Sequence, residues 1–243
     1  MRPVVVVWCL ITRLPKPLLL ATLFGWMVMT GKEVLPAMPD LCFSSPSVAG
    51  RLTTQIDVAL ADKGLFLTAL AWMAMILAMM PPLLAGPLLH IWRRSFSHRR
   101  PRAVCAFVVA YLLVWIAAGT MLVPAAIVLN AWSQTVALAP ILPALLIALV
   151  WQVTPSKQWF LNACHGRPPL AAYGKQADLD VFWFGVARGL SCAATCWAFM
   201  LVVLVSSGVV HWAVMAATMM LALLERKRGP QPATWFNGIR LAV

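Results

Sequence analysis

The sequence predicts an all-α fold, a polytopic transmembrane helical bundle of about six spans with both termini in the cytoplasm. Three observations predict it. Of the 243 residues, 62% are hydrophobic and 11% are charged, with a mean hydropathy of +0.86, an apolar excess that a water-soluble domain of this size cannot hide. The apolar residues fall in runs able to cross a hydrocarbon core of about 30 Å. With the N-terminus inside, fifteen of the Lys and Arg residues lie in inner segments and three (Lys32, Arg51 and Lys63) in outer ones, with Arg188 inside a span. Basic residues hold loops on the cytoplasmic side. The net charge of +12 is accounted for by those loops, and distributed this way it argues against nucleic-acid binding. The expected object is one integral membrane domain over residues 1–243, multi-pass in a bacterial inner (cytoplasmic) membrane, with the lipid bilayer as its immediate partner.

Each element has its own justification. Residues 4–11 form a brief apolar run interrupted by Arg13 and Lys16. No small-residue cleavage site follows, so the likeness to a signal peptide is weak. The first span covers 18–30. Residues 32–62 read as an external loop, with Pro36, Pro39, Pro46, Cys42 and the acids Glu33, Asp40, Asp57 and Asp62, and with an interfacial helix over 48–60. The second span covers 65–91. Pro81 and Pro82 remove two backbone donors there and should kink or unwind it. A basic cytoplasmic loop over 92–102 carries Arg93, Arg94, Arg99, Arg100 and Arg102, with His90 and His98 beside it. The third span, 103–123, is closed by Pro124. Residues 125–143 read as an interfacial turn leading into the fourth span, which ends near Val153. A second cytoplasmic loop, 154–180, holds Lys157, Cys164, His165, Arg167 and Lys175. The fifth span is 181–205 and the sixth 209–224, the latter ended by Glu225, Arg226, Lys227 and Arg228. No internal repeat suggests a transporter with inverted halves.

The chemistry concentrates in the fifth span. Residues three and four apart share a helix face, so Gly185, Gly189, Cys192, Cys196 and Met200 form one stripe. The glycines permit close helix approach. Thiols four apart can aim at one ion, whereas their separation is too wide for a comfortable disulfide. At about 1.5 Å rise per residue, Cys192 lies about 13 Å and Cys196 about 19 Å into the span. Met73 and Met75 of the second span and Met215 and Met219 of the sixth reach the same layer. Thiolate and thioether sulfur select soft ions, and no carboxylate lies at that depth, so the set favours Cu(I). Cys192 and Cys196 are the candidate primary ligands, with Met75, Met79, Met215 and Met219 accessory. Packing is the rival explanation for each methionine, since Met fills irregular gaps in apolar cores. Cys164 and His165 are a candidate exchange point at the cytoplasmic mouth, two ligands being too few for a closed site. Arg188 either snorkels to the headgroups or pairs with Glu225, pinning the fifth and sixth spans together. Cys9 and Cys105 read as core residues, and Cys42 as an incidental thiol.

These residues together resemble a family of predicted metal-binding integral membrane proteins defined as a domain of unknown function. A Trp- and Met-rich helix ending in Met-Met-x-Pro is matched by Trp72 to Pro82. A Tyr-Gln-x-x-Pro-x-Lys stretch leading to a Cys-containing turn is matched by Trp151 to Pro168. A Gly-x-x-x-Gly then Cys-x-x-Cys-Cys-Trp-x-x-Met helix is matched by Gly185 to Met200. An acid and a base closing the last helix are matched by Glu225 and Arg226. The resemblance covers about Trp72 to Arg228, within a family-like region 65–228, and it implies metal binding. The chain departs at Phe160 and Thr195, where that family tends to have cysteine.

The expectation is therefore an inner-membrane protein that binds a soft metal, most plainly copper as Cu(I), or hands it to a metal-delivery partner or membrane complex. No hydrolytic triad, phosphate loop or carboxylate pair is visible, so no enzyme is expected. A metal-free assembly subunit of a membrane complex is one alternative. A transporter or channel is another, although the spans offer few polar residues for a water-lined path.

Overall fold

A computed structural model describes residues 16–31 and 62–235. The 4–11 run, Cys9, Cys42 and the interfacial helix expected over 48–60 lie outside the described residues. The described chain is helical, with no strand among those residues. We number the α-helices α1 (Lys16–Gly31), α2 (Asp62–Met79), α3 (Ala85–Arg94), α4 (Arg100–Thr135), α5 (Ile141–Val153), α6 (Pro155–Ala163), α7 (Gly174–Val205) and α8 (Gly208–Lys227). Short 3-10 turns at Pro81–Leu84 and Ser97–Arg99 join α2 to α3 and α3 to α4.

Three helical stretches are long and apolar enough to cross a membrane: Ser97–Thr135, Gly174–Val205 and Gly208–Lys227. The pair Phe66–Met79 and Pro81–Arg94, bent by 55°, makes a fourth if it is one broken span. The helices α1 and α5 are apolar but shorter. The bend falls where the prolines place it, because Pro81 and Pro82 cannot donate to the carbonyls four residues earlier. A close neighbour occupies the break: a Cβ on Gly25 of α1 would come within 2.4 Å of the Ala78 backbone nitrogen.

Three boundaries differ from expectation. Pro124 does not close its helix. The helix α4 runs through it to Thr135, since one missing hydrogen bond is tolerated in a long apolar span. The interfacial turn expected from residue 125 is accordingly helix, and the turn comes later, where Ala137 adopts a φ of 53°. The helix α7 begins at Gly174 rather than at 181, because its polar first turns are held from outside. Asp178 pairs with Arg99 at 2.5 Å and Arg102 at 2.8 Å, and Asp180 accepts from the Ala171 N–H at 2.9 Å. Lastly, the 154–180 loop contains α6. Thr154 caps it through its side chain, and Pro155 occupies the first turn, where its missing N–H costs nothing.

The centre of the molecule is α7, which packs on α4, α5, α6 and α8. Its glycines do what the sequence suggests. A Cβ on Gly185 would meet the Phe107 carbonyl oxygen at 2.6 Å, and one on Gly189 would meet the Val114 Cβ at 2.8 Å, so α4 and α7 approach as only glycine allows. One face of α7 presents Cys192, Cys196, Met200 and Val203 to a core containing Met75, Met79, Met80, Tyr111, Trp115 and Met215. The opposite face places Ala198, Leu201, Val202 and Val205 in a separate hydrocarbon core with Ala126, Ala144 and Ala148.

Candidate metal centre

Cys192 and Cys196 are both free thiols, 0% and 5% exposed, and they interact side by side one helical turn apart. They point into the protein. The Tyr111 hydroxyl of α4 donates to Cys192 Sγ at 3.2 Å, and Met80 Sδ stands 3.8 Å from the same sulfur. Tyr111 is 1% exposed and Met80 2%. The hydroxyl of Thr195, which stands where the resembled family has a further cysteine, lies 3.7 Å from Cys196 Sγ and bonds back to the Ser191 and Cys192 carbonyls.

Met75, Met79 and Met215 are buried in the same core as the two thiols, and Met219 packs partly buried against it. The sequence reading did not select Met80. Depth counted along an unbroken helix mis-assigns residues at a proline break. The 3-10 turn that follows Met80 sets its side chain against Cys192.

The ion pair expected between Arg188 and Glu225 is not formed, and both residues have other partners. Glu225 lies in a buried cluster where it pairs with Lys157 and accepts from Gln152 at 2.6 Å, while Lys157 also donates to Gln152. Lys157 Nζ lies 5.3 Å from the centre of the Phe199 ring. Arg188 turns to the C-terminal end of α6, donating to the Gly166 carbonyl at 2.5 Å and to the Ala163 carbonyl at 3.5 Å, with its guanidinium 5.1 Å from the Phe184 ring. A helix C-terminus carries unpaired carbonyls and partial negative charge, so α6 satisfies the arginine better than a carboxylate already neutralised by lysine.

Cys164 caps that same end of α6 and is half-buried beside Arg188. Burial pushes its thiol above the ordinary range, with the charges of Arg226 and Arg188 pulling the other way. A metal bound there would have to displace a proton. His165 is pinned by backbone. Its Nδ1 lies 3.0 Å from the Leu161 carbonyl oxygen and its Nε2 3.1 Å from that of Arg226, so neither nitrogen is presented as a free ligand. Cys105 is exposed on α4 rather than in the core.

Arg226, which the sequence reading left as a span end, is tied to the turn between α2 and α3. Its Nη1 donates to the Leu83 carbonyl at 3.1 Å. Pro87 has no N–H to offer that carbonyl in the helical pattern. The guanidinium lies close enough to Cys192 to interact with its side chain. Its Nη2 is sealed from solvent without a hydrogen-bond partner, a cost that native structures rarely leave unexplained.

No group of three or more His, Cys, Asp or Glu residues suited to a metal occurs among the described residues, so a site here would rest on two thiols with thioether support. Two thiolates and a thioether form a soft donor set that fits a monovalent soft ion better than Zn²⁺, Mg²⁺ or Ca²⁺. The long apolar helices are compatible with a membrane protein, and they enclose an interior where thiols and thioethers meet. Residues 69–242 match a family model described as PpoB2, copper chaperone. The match spans well over half of the chain, and the chain belongs to that family. No curated protein and no solved structure matches it.

Proposed function

We propose that this protein is a non-catalytic copper carrier of a bacterial inner membrane. It holds Cu(I) on Cys192 and Cys196 with thioether help and passes it to a partner. Copper is its cargo. The observation that carries this reading is the surroundings of Cys192. Its sulfur is fully buried in a copper chaperone family member, with a tyrosine hydroxyl at 3.2 Å, a thioether at 3.8 Å and a second thiol one turn away. A hydroxyl donor stabilises a thiolate, and the neighbouring methionines can complete a soft coordination shell without charge. Of these, Met80 is the first candidate, ahead of Met75, Met79, Met215 and Met219. Cys164 at the end of α6 serves as the exchange ligand, while His165 holds α6 against α8. The chain crosses the bilayer about six times with both termini inside, α1 and α5 being its short crossings.

The test is a Cu(I) titration in detergent with reductant, against a competing chelator, of the native protein and a Cys192→Ser, Cys196→Ser double variant. The native protein should hold about one equivalent. The double variant should lose more than the roughly 10–100-fold that removal of a supporting partner costs a metal site. Equal, weak binding by both would leave a metal-free assembly role.

A further inference from the structure

Two buried guanidinium nitrogens, Arg226 Nη2 and Arg188 Nε, lack hydrogen-bond partners among the described residues. Arg226 donates through Nη1 to the Leu83 carbonyl, in the turn whose N-cap Met80 lies 3.8 Å from Cys192 Sγ, and keeps its other nitrogen, Nη2, buried and unpartnered. Arg188 is 4% exposed and spends its terminal nitrogens on the Gly166 and Ala163 carbonyls, leaving its Nε buried without a hydrogen-bond partner. Among the described residues no acid forms an ion pair with either arginine: Glu225 is committed to Lys157, and Asp178 to Arg99 and Arg102. We propose that Arg226 is a specificity-determining residue that selects monovalent over divalent soft cations at the Cys192–Cys196 site. This deepens the copper reading and rests on it.

The argument is charge balance in a medium that screens poorly. Two thiols that bind Cu(I) as thiolates each lose a proton, and the metal–dithiolate unit carries one negative charge. The guanidinium of Arg226 offsets that charge, and Nη2 gains a sulfur-bound anion to face. The same two thiolates on Zn²⁺ or Cd²⁺ make a neutral unit, which leaves the arginine charge uncompensated in the core. The positions of the two residues on the chain support the arrangement. Nη1 is spent on the Leu83 carbonyl, which follows the proline break bearing Met80, so the arginine and the thioether are held by one turn.

The experiment compares two soft ions of unequal charge, Ag⁺ and Cd²⁺, on the intact protein in detergent by competition with a chelator of known affinity for each. It is repeated on Arg226→Met and Arg226→Lys. The native protein and Arg226→Lys should favour Ag⁺. Arg226→Met should narrow the Ag⁺ to Cd²⁺ affinity ratio by on the order of tenfold to a hundredfold, as expected for removing one charge at close range. An unchanged ratio in a folded Arg226→Met protein would overturn the proposal. So would equal preference for the two ions in the native protein, which needs no variant to fold. Failure of the native protein to bind Ag⁺ or Cu(I) at all would remove the copper reading itself, a different and distinguishable outcome.

Discussion

Lys157 and Arg226 are both basic side chains drawn into the same end of the bundle, and they are treated in opposite ways. Lys157 is 2% exposed. Its ammonium is matched by the Glu225 carboxylate and the Gln152 amide oxygen and lies over the Phe199 ring. Such an arrangement is complete: it ties α5, α6, α7 and α8 together and leaves no charge for a ligand to meet. Arg226, the next residue after the partner of Lys157, has one nitrogen on a backbone carbonyl and another sealed off without a hydrogen-bond partner. Burial of a charge alone does not mark a site. A buried charge whose bonding is left unfinished beside ionisable thiols does.

The comparison can be broken most forcefully at Lys157. Replacing it by Met strands the Glu225 carboxylate, and loss of one partner from a buried pair costs about 3–5 kcal/mol. We expect Lys157→Met to lower the thermal midpoint of the detergent-solubilised protein sharply. Adding Glu225→Leu should recover most of that loss. Cu(I) affinity should stay near native in the double variant, measured by chelator competition, because neither residue touches the sulfur site. A parallel loss of copper affinity would make the two basic groups one functional unit and erase the contrast.

A smaller effect sharpens the other side. Pro87→Ala restores an N–H that can compete with Arg226 for the Leu83 carbonyl. Stability should change by less than about 1 kcal/mol, because Pro87 sits in the first turn of α3, where proline is tolerated. The loosened arginine should shift Cu(I) affinity a few-fold, read from the same competition. An affinity identical to native would mean that the Leu83 contact does not position the guanidinium.

Much of this architecture was legible in the residues. The apolar runs located the helices that became α4, α7 and α8, and the glycine stripe pointed to a close helix approach whose partner, α4, only the structure names. Helical spacing put the two thiols on one face, and the cost of polar groups in lipid argued that this face turns inward. The paired Glu225 and Arg226 stood out as a motif, but not in their roles. Periodicity ranks faces and says little about which long, flexible side chain reaches which partner, so Arg188 was matched to the wrong acceptor. Met80 was missed because the proline turn after it breaks the register on which depth estimates rely. The short helix α6 was read as loop because its apolar content is low, although Thr154 followed by Pro155 is a helix-start signal that could have revealed it. Pro124 misled in the other direction: a strong breaker in water is tolerated inside a long apolar span.

The most direct test of the central claim is X-ray absorption at the copper edge of the Cu(I)-loaded protein. A first shell made only of sulfur, two or three atoms, that loses one of those sulfurs in Cys192→Ser is the predicted result. A shell dominated by nitrogen or oxygen, or one unchanged by that substitution, would contradict it.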